Sequence, residues 1–354
     1  MKKTSYNKSD KKSKGGLRIF GRFGAFLGVT LLAILLVALG VVWVLLKGPS
    51  PYVTEMFCRS TRETSAIRWI PDLFLSQEEI DLYKSVSTEE METAEVNTSL
   101  IRIAPPEEYV DEGAGEESGL TLIDIAEGTV KGKLLIVKDP SRVILGVSGP
   151  FGAQYAGLQL TELVAKYDGL AGTNAGGFND NNGQGNGGIP YGMVISEGEF
   201  LWGELYSNYN IIGFDRDHIL HVGTMTGQEA MDLGIVYGVS FVTHDGLASS
   251  LIINGQVQTQ NLQSGVNPRT AIGQCADGSV LMLVLDGRSI NTLGATMEDV
   301  CDIMLSYGAV NAGNLDGGSS SVMVYDGEII NSCASVTGPR SIPTAFIVTK
   351  KEAE

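Results

Sequence analysis

The stretch "GATMEDVCDIMLSYGAVNAGNLDGGSSSVMVYDGEII", residues 294–330, decides the fold. Thr296 opens an amphipathic run in which Met297, Val300, Ile303, Met304 and Tyr307 share one helical face, and Gly308 stops it. At the other end, "SVMVYDGEII" sets two strand-like halves around a D-G pair, the local signal of a β-hairpin. Between them lies "NAGNLDGGSSS", residues 311–321, with Asp316 between an Asn-Leu pair and two glycines, then three hydroxyls. A turn needs one Asp and one Gly. The surplus of hydrogen-bonding groups points to a site.

The same texture extends outward from about Gly119. Short apolar runs separated by glycine turns recur: "LLIVKDPSRVILGVS", "GMVISEGEFLWG", "SLIINGQVQ" and "SVLMLVLDG". E-G, N-G and D-G pairs mark hairpins. Two more helices are expected, at "LQLTELVAKY" and at "TGQEAMDL", where Thr226 and Glu229 form a capping box. Hairpins with interspersed helices, rather than regular βαβ units, predict an α+β class: a hairpin-rich domain around a mixed sheet with a few packed helices, over residues 119–354. No fixed period links the runs, so this is not a repeat array.

Residues 23–46 are 24 residues without a charge. At about 1.5 Å per helical residue they cover a hydrocarbon core of roughly 30 Å. Residues 1–22 carry six Lys, two Arg and one Asp, which places this tail in the cytoplasm and the C-terminal bulk outside the plasma membrane. A cleaved signal peptide is the competing reading. The apolar run exceeds the usual h-region of about 7–15 residues, and no small-x-small site follows directly, so an uncleaved single-pass anchor is expected. Residues 47–118 read as an extracellular stalk. "SQEEIDLYKSV" starts with a Ser76/Glu79 capping box, and between Gln77 and Glu117 thirteen acidic residues face only Lys84 and Arg102.

The net charge of −16 becomes −23 for residues 23–354 once the basic tail is set aside. That excludes a nucleic-acid partner, which needs clustered Lys and Arg, but not an anionic ligand in a local cationic pocket. Cys58, Cys275, Cys301 and Cys333 show no C-x-x-C or zinc spacing, and their disulfide status stays open, as does the oligomeric state. No cofactor is required, and a divalent cation is left open.

Four segments combine polar groups with glycine: "AGTNAGGFNDNNGQGNGG" (171–188), "NPRTAIG" (267–273), "LVLDGR" (283–288) and "NAGNLDGGSSS". None contains His, so a Ser–His nucleophile is hard to build, and His218, His221 and His244 read as surface residues. Arg269 and Arg288 can bind a phosphate or carboxylate at any working pH. Asp286 and Asp316, held by glycine turns, are the candidate acid, base or nucleophile at a sugar carbon, and open amides at Gly317 and Gly318 can cradle an oxyanion.

Together these segments resemble the phosphodiester glycosidase domain family over roughly residues 119–350. Asn174 and Gly177 match its early Asn-Gly-Gly-Phe segment, Arg269 and Thr270 its P-R-T, and Asp286, Gly287 and Arg288 its D-G-R. Asn314, Asp316, Gly317, Gly318 and Ser319 match its N-L-D-G-G-S core, and Arg340 a late Arg. Two positions depart from the pattern, Asn179 after Phe178 and the Ser319-Ser320 pair, and both bear on sugar specificity. The resemblance implies a hydrolase of sugar-1-phosphodiesters, with an N-acetylhexosamine in a cell-surface glycan as substrate. Asp316 and Asp286 would then be catalytic and the other matched residues substrate-binding. A non-catalytic glycan-binding scaffold for exopolysaccharide biosynthesis or export is the alternative.

Overall fold

The computed structural model describes residues 10–83, 95–105, 119–181, 184–241, 249–289, 291–335 and 338–350. His244 and much of the acidic stretch between 84 and 118 lie outside the described residues. The chain divides into two compact units, Met1–Glu55 and Met56–Glu354.

The first unit is dominated by helix α1, Asp10–Lys47. Its segment Arg22–Lys47 is long and apolar enough to cross a bilayer. Phe26, Val29, Leu31, Ile34, Leu36 and Trp43 are all exposed around it. A helix that exposes apolar side chains on every side is unfavourable in water.

The second unit begins in helix α2, Pro51–Arg62, and continues through the short α3, Gln77–Leu82, capped by the expected Ser76/Glu79 box. Three sheets follow, with strands numbered in chain order. The first sheet has the order β1 (Leu120–Glu127), β2 (Val130–Val137), β13 (Val280–Leu285), β12 (Arg269–Cys275), β14 (Ala309–Asn314), β10 (Ser250–Ile253), β11 (Gln256–Val257). The second runs β16 (Glu328–Ile329), β15 (Met323–Tyr325), β4 (Gly169–Asn174), β17 (Thr344–Thr349), β3 (Val143–Val147). The third runs β6 (Glu199–Trp202), β5 (Val194–Ser196), β9 (Ile235–Ser240), β7 (Asn208–Asp215), β8 (Leu220–Thr226).

The α+β class is as expected. The strands are shared among three sheets rather than one, and the pairings among the described residues are antiparallel. Short turns can join only antiparallel neighbours, whereas parallel pairing needs long crossovers. The E-G, N-G and D-G pairs form three of those turns. Glu197 and Gly198, Asn254 and Gly255, and Asp326 and Gly327 all adopt positive φ, as two-residue hairpin turns of the primed type require.

One core is common to the three sheets. Leu135 of β2, Val284 of β13, Phe346 of β17 and Phe214 of β7 meet there, the two phenylalanine rings edge to face at 6.0 Å. A helix backs each sheet from outside. α6 (Met297–Ser306) covers the first sheet with Met297, Val300, Ile303 and Met304, against Leu281, Leu283 and Leu285. α4 (Leu160–Lys166) covers the second, and α5 (Gly227–Leu233) the third. β13 is thus buried on both faces, which is why "VLMLVL" is continuously apolar rather than alternating.

Candidate active site

The site lies where the first and second sheets present their strand ends. β12 is antiparallel to both β13 and β14, so its start, Arg269, lies beside Leu285 at the end of β13. β14 runs out through Asn314 and the fully buried Leu315 into Asp316. The Leu315 amide donates to the Thr270 carbonyl at 2.8 Å, and the Asp316 amide to the Ala175 carbonyl, just past β4, at 3.0 Å. Asn174 closes the clamp: its Nδ2 donates to the Asp316 carbonyl at 2.5 Å while its Oδ1 accepts from Thr270 Oγ1 and from the Val322 amide. Asp316 is therefore held by backbone from two sheets.

The glycines after it answer to the close approach of neighbours. A Cβ at Gly317 would sit 2.9 Å from the Pro268 carbonyl oxygen. Gly318 adopts φ +64°, and a Cβ there would come within 3.3 Å of the Arg288 guanidinium. Of the three hydroxyls, Ser320 hydrogen-bonds the Asp316 side chain. Burial pushes the Asp316 carboxyl up to about 6, and the negative Asp180 adds to the rise. Ser320, the positive Arg340 and the Gly317 amide pull it part of the way back.

Asp316 opens onto a cavity of about 360 Å³. Gly177, Phe178 and Asp180 form one wall, with Tyr191 and Phe241 beside them. Arg288, Asn267 and Arg269 form another, and Ala334, Ser335 and Arg340 a third. Arg340 lies over the Phe178 ring at 4.7 Å and reaches Asp180 at 3.3 Å. Arg288 has φ 55°, uncommon for a bulky residue, and its Nη2 donates to Thr64 Oγ1 at 2.7 Å and to Asn267 Oδ1 at 3.0 Å. Burial and the neighbouring Arg269 charge push the Arg288 guanidinium below its usual value, and Glu63 partly restores it.

Residues 63–66, in the stretch read from sequence as a stalk, form the remaining wall. The compact unit starts at Met56, and this segment packs on it. Glu63 Oε2 pairs with Arg269 Nη2 at 2.8 Å and accepts from Asn267 Nδ2 at 2.9 Å, while Oε1 accepts from the Gly265 amide at 2.6 Å. Arg269 also donates to the Ala295 and Gly265 carbonyls, which leaves it 5% exposed.

Of the sequence candidates, Asp316, Gly177, Arg269, Arg288, Gly317, Gly318, Ser319 and Arg340 line the cavity. Asn174, Thr270 and Asn314 do not: all three are buried, Asn174 and Thr270 hydrogen-bonded to each other with Asn174 holding the Asp316 carbonyl, and Asn314 at the end of β14. Asp286 is not brought into the cavity either. Its Oδ1 accepts from Asn331 Nδ2 at 3.1 Å and from the Ser332 amide at 2.9 Å, so it anchors the loop after β16. The second carboxylate beside Asp316 is Asp180, which lies within the polar, glycine-rich segment 171–188 and was findable by that density. Glu63 carried no such signal. Among the described residues, no three His, Cys, Asp or Glu side chains are placed to hold a metal ion, and no disulfide forms.

Comparison with known proteins gives the following. The phosphodiester glycosidase family profile matches residues 167–349, from the turn before β4 to the end of β17. The N-acetylglucosamine-1-phosphodiester alpha-N-acetylglucosaminidases of Bos taurus and Homo sapiens are 26% and 25% identical over 237 residues, covering 61% of this chain and 43% and 44% of theirs. The SPbeta prophage-derived uncharacterized protein YomE of Bacillus subtilis (strain 168) is 30% identical over 140 residues, 37% of this chain and 22% of its own. The chain thus spans less than half the length of these relatives. The zebrafish N-acetylglucosamine-1-phosphodiester alpha-N-acetylglucosaminidase catalytic domain, solved auto-inhibited by its pro-peptide, superposes with a TM-score of 0.52 at 20% identity, covering 66% of this chain and 82% of that one. That likeness is one of fold.

Proposed function

The chain belongs to the phosphodiester glycosidase family, and from that premise we propose that it hydrolyses a sugar-1-phosphodiester, an N-acetylhexosamine-1-phosphate unit of a cell-surface glycan. The observation that carries this reading is Asp316, clamped by two sheets at the edge of a cavity with Arg288 and Arg340 on its other walls. Arg288 holds the phosphodiester and neutralises its charge. Tyr191 and Phe241 offer apolar faces to the sugar ring.

Asp316 acts at the anomeric carbon, as the nucleophile or as the base that takes a proton from the attacking water. The bond from that carbon to the phosphate oxygen breaks with its electron pair going to the phosphate, which leaves as a phosphomonoester and needs little help from an acid. Asp180, paired with Arg340, is the second carboxylate at hand. Helix α1 serves as the membrane anchor, with the second unit outside.

Hydrolysis is tested with the full chain in detergent. It is incubated with an α-N-acetylglucosaminyl-1-phosphodiester and other sugar-1-phosphodiesters, with and without a chelator, and released reducing sugar is quantified. Release from at least one N-acetylhexosamine diester is expected. Tight binding of the glycan with no release from any of them would replace the hydrolase with the scaffold reading.

A further inference from the structure

Residues 63–66 precede the matched family region by a hundred residues, yet they are built into the cavity wall. The fit is close. Ser60 Oγ accepts from the Val266 amide at 2.8 Å, and a Cβ at Gly265 would strike the Ser60 backbone nitrogen at 2.2 Å, so only glycine lets the two segments meet. Glu63 then enters the site with its side chain 9% exposed, both carboxylate oxygens engaged by Arg269, Asn267 and the Gly265 amide.

This arrangement fixes the charge of the phosphate end of the cavity. The charged lining residues are three guanidiniums, of Arg269, Arg288 and Arg340, and three carboxylates, of Glu63, Asp180 and Asp316. Arg340 pairs with Asp180 and Arg269 with Glu63. Arg288, held by the neutral Thr64 and Asn267, is the guanidinium without a carboxylate partner among the described lining residues. A phosphodiester carries one negative charge. A phosphomonoester carries nearly two above its second pKa of about 6.

We propose that Glu63 is a specificity-determining residue: by pairing with Arg269 it leaves Arg288 as the one lining guanidinium unpaired among the described residues, brings the lining to no net charge once Asp316 is ionised, and matches the site to a singly charged phosphodiester over a doubly charged phosphomonoester. Arg269 is then a positioning residue, not a direct phosphate ligand. The consequence is functional as well as selective. Hydrolysis of a phosphodiester releases a phosphomonoester, and a site with one unpaired guanidinium and no net charge holds that dianion poorly and clears its product. The inference rests on the phosphodiester reading above and names its charge discrimination.

The test measures anion binding by calorimetry, at about pH 8 where the monoester is a dianion. The full chain in detergent is titrated with dimethyl phosphate, the monoanion, and with methyl phosphate, the dianion. The wild type is expected to favour dimethyl phosphate. Glu63→Gln, which adds one net positive charge, should reduce that preference by about tenfold or more, and Glu63→Asp should keep it. An unchanged preference in Glu63→Gln overturns the proposal. So does parallel tightening of both anions, which would mean that Glu63 blocks the site rather than tuning it. Should Glu63→Gln fail to fold, the wild type still decides: methyl phosphate binding as tightly as dimethyl phosphate, or neither anion binding, contradicts the inference. Sugar release is followed separately, so an inactive wild type with the expected anion preference would count against the glycosidase and not against Glu63.

Discussion

At the residue scale, Asp316 joins function to a stability cost. Its carboxyl is raised from an ordinary 3.8 to about 6, chiefly by burial. Below about pH 4 the carboxyl is protonated in both folded and unfolded chains and costs nothing. As pH rises from 4 to 6 the unfolded chain loses this proton first, so the cost grows and is complete above about pH 6, at up to about 3 kcal/mol. Asp316→Asn should therefore raise the melting temperature at pH 8, and the gain should shrink to nothing near pH 4. A melting temperature unchanged at pH 8 would mean that the carboxylate is not strained by its surroundings. Activity follows the opposite requirement, because a nucleophile or base must be ionised. kcat/KM should fall on acidification with an apparent pKa near 6, about two units above an ordinary aspartate, as read from a pH–rate profile. Asp316 was legible from sequence because its hydrogen-bonding neighbours crowd one short stretch. Asp286 was the second candidate, but its carboxylate accepts from the Asn331 side chain and the Ser332 amide, and only the packing of that distant loop decides where it points.

At the scale of elements, the turns and caps were the readable part. Dipeptides such as Asn254-Gly255 state their own backbone geometry, and the boxes at Ser76 and Thr226 state where helices begin. How the strands divide among three sheets was not readable, because strands buried on both faces, like β13, lose the alternation that marks which side is which. The end of helix α2 was hidden for another reason. Its contacts are made by Ser60, Glu63 and Thr64, whose polarity matches a solvated linker, and only long-range hydrogen bonds show otherwise. Gly265→Ala tests that packing. The added Cβ meets Ser60 backbone, which cannot rotate away, so a loss of about 1–3 kcal/mol by denaturant unfolding is expected. A neutral substitution would show that the segment does not seat there in solution.

At the scale of the whole molecule, an apolar helix of membrane-spanning length stands before an α+β unit whose cavity borrows a wall from the residues that follow that helix. If that wall matters, a chain starting at Met56 should keep sugar release while one starting at Gly119 should lose at least about tenfold in kcat/KM, since it lacks Glu63 and Thr64 and leaves Arg269 a buried charge without its counter-ion. Equal activity of the two would make the segment dispensable. The measurement that bears most directly on the whole account compares sugar release from an α-N-acetylglucosaminyl-1-phosphodiester by the wild type and by Asp316→Asn, each confirmed as folded by its melt. Release by the wild type, reduced by at least about a thousandfold in the variant while the diester still binds, is the expected result. Comparable release by both proteins would contradict the assignment of Asp316 and, with it, the mechanism.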